Sequence, residues 1–506
     1  MTSFDLLAVI ALVTLAFGDL MVGVANDAVN FLNSAIGAKA AKLRTILIVS
    51  GIGLIIGATF SDGIIEVARN GIFNPSFFTA HEAILIFTAV AITDIVLLDV
   101  YSTFGLPTST TVSVVFELFG AALVLALVMT GNLTEAWAAI NSDSAVKIIT
   151  SILLSIGIAF IVGILVQFVT RLLFTFHYEK RMKSWGFLWS GIALTSLMFF
   201  ILIKGGAHAS FITDNTMDFI HANVLSILGV MFVFFSVLSF ILIKMGTNML
   251  KVIILIGTGA LAMAFAGNDL ANFIGVSVAG VNAFLGADLS DKLPTPTWTL
   301  LAAGIMMTIT IFTSNKARTV VNTSVNLGSH GKNVTNDWQS NVFADKLVKI
   351  ASFFYDMILK LIPSGIHKWL SHRWEGGHII TEGDERKDHD LIRASVILMV
   401  SSALISYATS QKLPLSTTYV TFIVAMGASL ADGAWTKACA PSRLSGVAIV
   451  ISGWFMTAFM AFTMAGIAVT TLYYAGSYGL GLLVVGVVFS VYKLFRIHKK
   501  REAAVS

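Results

Sequence analysis

The chain has 506 residues, of which 56% are hydrophobic and only 12% are charged, with a formal net charge of +4. A soluble globular protein carries about 25% charged residues, so this composition excludes a soluble domain and indicates a polytopic membrane protein. The apolar runs are continuous, which excludes a transmembrane barrel built from alternating segments of about ten residues.

The predicted membrane elements are α-helical. Two of them, the first and the eighth, would each span about 50 Å as helices, against a hydrocarbon core of about 30 Å. Each contains an Asn-Asp pair, so we expect each to be broken or bent there, with irregular backbone that faces protein or water. In chain order the elements lie at 4–37, 45–60, 80–100, 107–129, 146–170, 185–204, 223–243, 250–285, 298–314, 391–410, 413–431, 444–472 and 476–494.

Basic residues in the connecting segments give the orientation. Clusters follow the first and fifth elements, flank the turn before the eighth, and end the chain. All of them lie on the cytoplasmic side if the elements alternate simply, as the positive-inside rule requires. The polar segment 315–390 then also faces the cytoplasm, and residues 342–370 within it predict an amphipathic helix. The start of the chain lacks a basic signal region, so we expect a multi-pass protein of the cell membrane, with a bacterial inner membrane favoured.

Two motifs occur twice. Asn-Asp-x-x-Asn-Phe stands at 26–31 and 268–273, and Leu-Pro-x-Ser-Thr-Thr stands at 106–111 and 413–418. The same order in both halves indicates an internal duplication. Seven elements separate the start of the first copy from the start of the second, and an odd number means that the second copy enters from the opposite face. The predicted fold is an all-α polytopic membrane protein with two inverted-topology repeats, whose broken or re-entrant helices meet at mid-membrane.

This organisation divides the chain into six parts. Repeat 1 covers 1–172, and connecting transmembrane helices cover 173–249. The first part of repeat 2 covers 250–314, a cytoplasmic loop with an amphipathic helix covers 315–390, and the second part of repeat 2 covers 391–494. A basic C-terminal tail covers 495–506.

The Pro-x-Ser-Thr-Thr motif is typical of a helix start that binds an anion. The first-turn amide hydrogens of a helix have no partner within it, and the helix dipole adds partial positive charge there. Serine and threonine hydroxyls add donors, so two such starts could face one tetrahedral oxyanion without any lysine or arginine. The alternative is a capped helix end whose hydroxyls bond to nearby backbone.

The Asn-Asp motif is typical of a hard-oxygen cation cage. Asp27 and Asp269 are the predicted cation ligands, and sodium would offset the cost of their buried charges. The motif amides either complete the cages or hydrogen-bond the anion; they are Asn26, Asn30, Asn268 and Asn272. A proton could replace sodium by protonating either aspartate. The alternative is a polar cluster that only holds helices together.

Other acidic residues lie within the apolar runs. Asp94 and Asp99 lie near the cytoplasmic end of their element, where an interfacial position is expected. Asp19 and Glu117 lie deeper and have no acidic counterpart in the second repeat. Glu117 is the candidate for an additional coupling residue, as a proton or cation ligand.

The four motif copies, in this order, resemble the inorganic phosphate transporter (PiT) family. The resemblance covers about 4–131 and 250–472, and it implies a symporter that carries inorganic phosphate inward with sodium or protons. It also implies that Asp27 and Asp269 serve the cations. The residues implied to hold phosphate are Ser109, Thr110, Thr111, Ser416, Thr417 and Thr418, with Asn26 and Asn268 nearby. The family usually has histidine after Ser-Thr-Thr, whereas Val112 and Tyr419 stand here.

The expected function is therefore sodium-coupled phosphate import by alternating access. Proton coupling and sulfate, which is also tetrahedral, remain alternatives, and a passive anion channel is the rival from a different class. No nucleophile–base pair or metal-ligand motif indicates an enzyme or a cofactor, and no basic stripe indicates nucleic-acid binding. We predict Asn30 and Asn272 as sodium ligands beside the two aspartates. The expected partners are phosphate, the coupling ion and the bilayer, and a homodimer is compatible with the sequence.

Overall fold

The computed structural model describes residues 2–61, 72–206, 219–220, 222–287, 295–329, 345–346, 348–349, 357, 363–375, 389–410, 415–435 and 439–505. Within these ranges the chain is helical apart from short connections, a 3₁₀ turn at Pro75–Phe77 and one isolated bridge between Phe73 and Ile140. This confirms the predicted all-α class.

Sixteen α-helices are described in this part of the chain. In order they are α1 (Ser3–Asp27), α2 (Val29–Gly37), α3 (Leu43–Thr59), α4 (Ala80–Phe104), α5 (Thr110–Thr130), α6 (Leu133–Trp137), α7 (Ser142–Phe174), α8 (Glu179–Gly206), α9 (Val224–Lys244), α10 (Met249–Phe284), α11 (Thr297–Thr313), α12 (Asn315–Gly328), α13 (Ser364–Arg373), α14 (Leu391–Ser410), α15 (Thr417–Ala431) and α16 (Ala440–Val505).

Seven of the described helices are long and apolar enough to cross a membrane, and an eighth joins them if the bent pair α11–α12 counts as one span. Shorter apolar helices accompany them, including α15 with its 15 residues. A helix of that length covers about 22 Å, less than the hydrocarbon core of about 30 Å. Helix α15 is therefore too short to cross the hydrocarbon core by itself.

The last helix of each repeat, α7 in the first and α16 in the second, packs against a helix of the other repeat. Helix α5 of the first repeat packs along α16 of the second, and α15 of the second packs along α7 of the first. Equivalent glycines make both approaches close, since Gly120 and Gly427 are each eleven residues after their motif serine. A Cβ atom at Gly427 would lie 2.6 Å from the carbonyl oxygen of Phe160, and one at Gly120 would overlap the carbonyl oxygen of Phe462. The repeats are thus interlocked.

The predicted breaks at the Asn-Asp motifs are largely wrong. Helix α10 continues through its motif for 36 residues. In the first copy only Ala28 separates α1 from α2, and its backbone angles (φ −55°, ψ −25°) are still helical. The motif side chains find their partners on other helices, so the backbone stays paired. The broken helix lies elsewhere, between α11 and α12, which meet at Ser314 with a bend of 71°.

The predicted polar segment 315–390 begins with a helix that packs on the other helices. Residues 315–328 form α12, which packs against α2 and the first helices of the body. Its polar residues alternate with a buried face that includes Val320 and Val321, and hydropathy averaged over the segment hides that face. Residues 364–373 form the exposed helix α13. Most of the predicted amphipathic helix at 342–370 lies outside the described residues.

The predicted tail at 495–506 is helical as far as Val505, because it continues α16. This helix bends at Gly476, where φ is 51°, which agrees with the predicted boundary between the last two membrane elements. The Arg501 guanidinium donates to the carbonyl oxygen of Thr103 at 3.1 Å, and His498 contacts Thr319 at 3.1 Å. The end of the chain therefore packs on the body.

Candidate functional site

The two Ser-Thr-Thr motifs form the starts of α5 and α15. Ser109 caps α5, since its hydroxyl oxygen accepts the amide hydrogen of Val112 at 3.2 Å. Ser416 caps α15 in the same way, with Tyr419 as donor at 3.2 Å. The capping interpretation therefore holds for both serine oxygens. Two threonines follow each serine, and all four are buried: Thr110, Thr111, Thr417 and Thr418.

Asp27 accepts hydrogen bonds from both repeats. The Thr110 hydroxyl donates to its Oδ2 at 2.9 Å, and the Thr418 hydroxyl donates to its Oδ1 at 2.9 Å. Thr110 belongs to the same repeat as Asp27, whereas Thr418 belongs to the other. A carboxylate at the end of α1 thus holds both helix starts.

Asp269 repeats this arrangement with the two halves exchanged. The Thr417 hydroxyl donates to its Oδ2 at 2.6 Å, and the Thr111 hydroxyl donates to its Oδ1 at 3.3 Å. Each aspartate thus takes the first threonine of its own repeat and the second threonine of the other. This is the pattern expected of a pseudo-two-fold axis through the site, and it confirms that the repeats meet there.

The second asparagine of each motif reaches across to the opposite repeat. The Asn30 amide donates to Thr418 at 2.9 Å and to Thr417 at 3.3 Å. The Asn272 amide donates to Thr111 at 3.0 Å and to Thr110 at 3.3 Å. These contacts orient the threonine hydroxyls toward the aspartates, because the threonine oxygens accept from the amides and donate to the carboxylates.

The first asparagine of each motif has a different position. Asn26 donates to Ser102 at 3.2 Å and to the carbonyl oxygen of Leu106 at 3.1 Å, and it accepts the amide hydrogen of Thr108 at 2.9 Å. Both of its amide hydrogens are used, so Asn26 holds the loop before α5. Asn268 is half-buried and donates to Asp269 at 3.0 Å.

The electrostatics of this cluster are unusual. Two fully buried carboxylates accept from hydroxyl and amide donors, and no basic side chain of the described residues pairs with either. Neutral donors only partly offset the cost of burying two negative charges close together. The cluster therefore favours cations next to the carboxylates. With such cations bound, the hydroxyls and helix starts can face an anion.

Comparison with known proteins agrees with this geometry. The sequence profile of the phosphate transporter family matches residues 23–324, more than half of the chain. The chain belongs to the phosphate transporter family. Two archaeal proteins, both named "putative phosphate permease", are similar: one from Pyrococcus furiosus is 27% identical and one from Thermococcus kodakarensis is 29% identical. The matches cover 60% and 57% of this chain, and 73% and 70% of those proteins.

The fold of the transporter is also that of a solved structure entitled "The sodium-dependent phosphate transporter". The TM-score is 0.63 and the sequence identity is 17%. The alignment covers 92% of this chain and 99% of the other. The family resemblance predicted from the four motifs is thereby confirmed, together with the fold class.

The transporter has an aromatic contact beside the site that the sequence did not reveal. Tyr419, where the family usually has histidine, stacks on Trp454 with ring centres 3.8 Å apart and an angle of 18°. The Trp454 indole donates to the carbonyl oxygen of Pro107 at 3.0 Å. Pro107 precedes the first helix start and Tyr419 lies in the second, so Trp454 connects the two motifs. A tyrosine at this position has a packing role that valine, at 112, does not share.

The transporter also contains a buried ion network that sequence reasoning missed. Arg171 on α7 donates to Asp432 at 2.8 Å and to Asp390 at 2.9 Å. Arg393 on α14 donates to the same Asp432 at 2.8 Å, and Gln167 donates to it at 2.6 Å. Arg171 belongs to the basic cluster that follows the fifth predicted element, yet its side chain is fully buried. Its apolar neighbours in sequence carry no signal of the partners, which come from more than 200 residues away.

Proposed function

We propose that the chain is a secondary active symporter that imports inorganic phosphate coupled to sodium by alternating access. One observation supports it above the others: the hydroxyls at the two helix starts, which are suited to an oxyanion, donate to the carboxylates Asp27 and Asp269. The hydroxyls proposed to bind the anion and the carboxylates proposed to bind the cations therefore belong to one hydrogen-bonded cluster.

Electrostatics explains why this cluster would couple the two ions. A phosphate beside two buried carboxylates brings further negative charge into one small site, which is strongly unfavourable. Sodium ions bound to Asp27 and Asp269 would remove most of this repulsion. The threonine hydroxyls could then donate to phosphate while their lone pairs face the cations. Phosphate binding therefore depends on prior or simultaneous cation binding, which is the thermodynamic requirement of a symporter.

The positions of the side chains in the cluster suggest which residues bind the cations and which bind phosphate. The cation ligands are Asp27, Asp269, Asn30 and Asn272, in two sets related by the pseudo-two-fold axis. Phosphate is held by the threonine hydroxyls and by first-turn amides, with Ser109 and Ser416 shaping the helix starts. The full phosphate set is Ser109, Thr110, Thr111, Ser416, Thr417, Thr418, Asn26 and Asn268. Within this set Asn26 acts through the loop it holds.

Sodium is favoured over protons by the number of oxygen atoms around each carboxylate, which suits a hard cation. The solved structure of the same fold is named as sodium-dependent, which adds support. Proton coupling would need only the two carboxyl groups and no further oxygen ligands. Phosphate is favoured over sulfate by the family of the chain.

A transport role, and not catalysis, is proposed for the site. A passive channel gains nothing from paired buried carboxylates, which oppose anion entry until they are neutralised. The proposed location is a cell membrane with several crossings. The bacterial inner membrane stays a prediction, and the relatives described above are archaeal.

The test is uptake into proteoliposomes that contain the purified full chain. Labelled phosphate and labelled sulfate are offered separately, under an inward sodium gradient or an inward proton gradient. We expect phosphate to accumulate above equilibrium under the sodium gradient alone. Accumulation under the proton gradient alone would overturn sodium as the coupling ion, and a preference for sulfate would overturn phosphate as the substrate. Equilibration of phosphate without either gradient would support a passive channel.

A further inference from the structure

Three carboxyl groups lie together inside the first repeat, apart from the paired aspartates. Asp19 is on α1, Asp94 on α4 and Glu117 on α5, and their exposed fractions are 1%, 0% and 0%. Asp94 lies within interaction range of both of the others. Glu117 is seven residues beyond Thr110 on the same helix, so this acidic triad lies about 10 Å from the threonine cluster along α5.

The triad is short of hydrogen-bond donors. Within the described residues, the Ser113 hydroxyl donates to Oε1 of Glu117 at 2.8 Å. Both oxygens of Asp19, both oxygens of Asp94 and Oε2 of Glu117 are buried and accept no hydrogen bond from any described group. A buried carboxylate oxygen without a donor is costly, and the triad contains five such oxygens.

Within the part of the chain that the structure describes, no lysine, arginine or histidine is among the groups that act on this charge. The titratable groups that act on the triad are its own members, and Asp94 also acts electrostatically on Asp27. The helices packed against it, which include α10 and α16, contribute no lysine, arginine or histidine to these interactions within the described residues. Three carboxylates this close cannot all be ionised. Something bound must supply positive charge or hydrogen atoms.

Bound protons supply both the positive charge and the hydrogen-bond donors. A protonated carboxyl group donates a short hydrogen bond to a neighbouring carboxylate. Protons shared along the row from Asp19 through Asp94 to Glu117 would give partners to the orphan oxygens and remove the repulsion together.

We propose that Asp19, Asp94 and Glu117 form a proton-binding site, separate from the cluster that holds the substrate and its cations. The second repeat has no equivalent, since Leu261 and Val424 occupy the positions of Asp19 and Glu117. The site therefore lies in the first repeat only, on one side of the pseudo-two-fold axis. Its role in uptake rests on the proposed function, whereas its occupancy by protons does not.

Infrared spectroscopy of the purified full chain tests the occupancy. We expect carboxylic-acid C=O bands at neutral pH that shift in D₂O and lose intensity in Glu117→Gln and in Asp19→Asn. Asp99→Asn is the matched control: its carboxylate is paired with Lys316 at 2.6 Å, so it should contribute no acid band. Gel-filtration profiles and melting temperatures show which variants fold, and either triad variant suffices for the test.

Two spectroscopic results would overturn the proposal. One is an acid-band intensity in the folded triad variants equal to that of the wild type. The other is loss of the wild-type bands on adding sodium at fixed pH, which would assign the triad to a metal cation.

Uptake gives an independent measure. With a fixed sodium gradient, phosphate uptake by Glu117→Gln divided by that of the wild type should change several-fold as the external pH rises. The ratio cancels the pH dependence of phosphate itself, and a constant ratio would contradict a role of the triad in transport. If no phosphate uptake occurs in any protein, the proposed function fails while the infrared result still decides proton binding.

Discussion

The hydroxyl of Thr418 donates a hydrogen bond to the carboxylate of Asp27 at 2.9 Å, across 391 residues of sequence. The equivalent bond runs from Thr111 to Asp269 at 3.3 Å. Each repeat thus provides the carboxylate for one of the two proposed cation positions and a hydroxyl for the other. Neither repeat contains both groups of one position, so movement of one repeat relative to the other would change both positions at once. This arrangement is compatible with the alternating access proposed above.

Neutralising either aspartate should separate phosphate binding from cation binding. In Asp27→Asn and in Asp269→Asn, we expect sodium-driven phosphate uptake to fall by more than about tenfold, because a cation ligand is lost. The residual phosphate binding should depend less on sodium, since one of the two repelling charges is gone. Uptake at several sodium concentrations, together with equilibrium binding of labelled phosphate, measures both effects.

The control for these two variants is Asp99→Asn, which makes the same chemical change outside the cluster. Asp99 is paired with Lys316 on α12. Phosphate uptake by Asp99→Asn should show the same sodium dependence as uptake by the wild type. Sodium dependence of phosphate binding that is unchanged in both Asp27→Asn and Asp269→Asn would refute the cation assignment.

Removing a threonine hydroxyl should weaken the site without changing its shape. Thr110→Val and Thr417→Val keep the side-chain volume but lose the donor to Asp27 and Asp269 respectively. A hydrogen bond to a charged group is worth about 1.5–3 kcal/mol, so we expect apparent affinities to fall by about ten- to a hundredfold. Serine at the same positions restores the hydroxyl and should recover most of the affinity. Competition binding with labelled phosphate gives the comparison, and equal losses for valine and serine would contradict it.

The sequence predicted which side chains meet between the two repeats better than it predicted the backbone around them. Asp27 and Asp269 could be recognised because a repeated charge in an apolar run is costly and needs a reason. The straight path of α10 could not, because the sequence does not show that Asn272 and Asp269 are satisfied by side chains of α5 and α15. A break is needed only when the backbone itself must supply ligands.

The location of a segment in the fold was harder to predict where polar residues are buried. Residues 315–328 contain lysine, arginine and several asparagines, and hydropathy therefore placed them in a loop, but one face of α12 is buried. Arg171, Arg393 and Asp432 neutralise one another only after distant helices have packed. These ion pairs depend on the tertiary structure, so no pattern in the neighbouring sequence indicates them.

A methyl group at either interlocking glycine should loosen the contact between the repeats. Gly120→Ala and Gly427→Ala each place a Cβ atom against backbone of the opposite repeat, which cannot move without shifting a helix. Overpacking of this kind costs about 1–3 kcal/mol. We expect a lower melting temperature for both variants in detergent. Gly157→Ala on α7 is the matched control, because nothing lies within 4 Å of its added methyl group, and it should melt no lower than the wild type.

The ion network around Asp432 should be the most sensitive point outside the site. Asp432→Asn leaves the buried guanidinium groups of Arg171 and Arg393 without the carboxylate that both of them contact. Removing one partner from a buried ion pair costs about 3–5 kcal/mol, so a large drop in melting temperature or in folded yield is expected. The matched control is Glu375→Gln, which changes an exposed contact with His372 and should leave stability within about 1 kcal/mol of the wild type. Thermal unfolding followed by gel filtration compares the two, and equal stability would show that the network contributes little to holding α7 against α14 and α15.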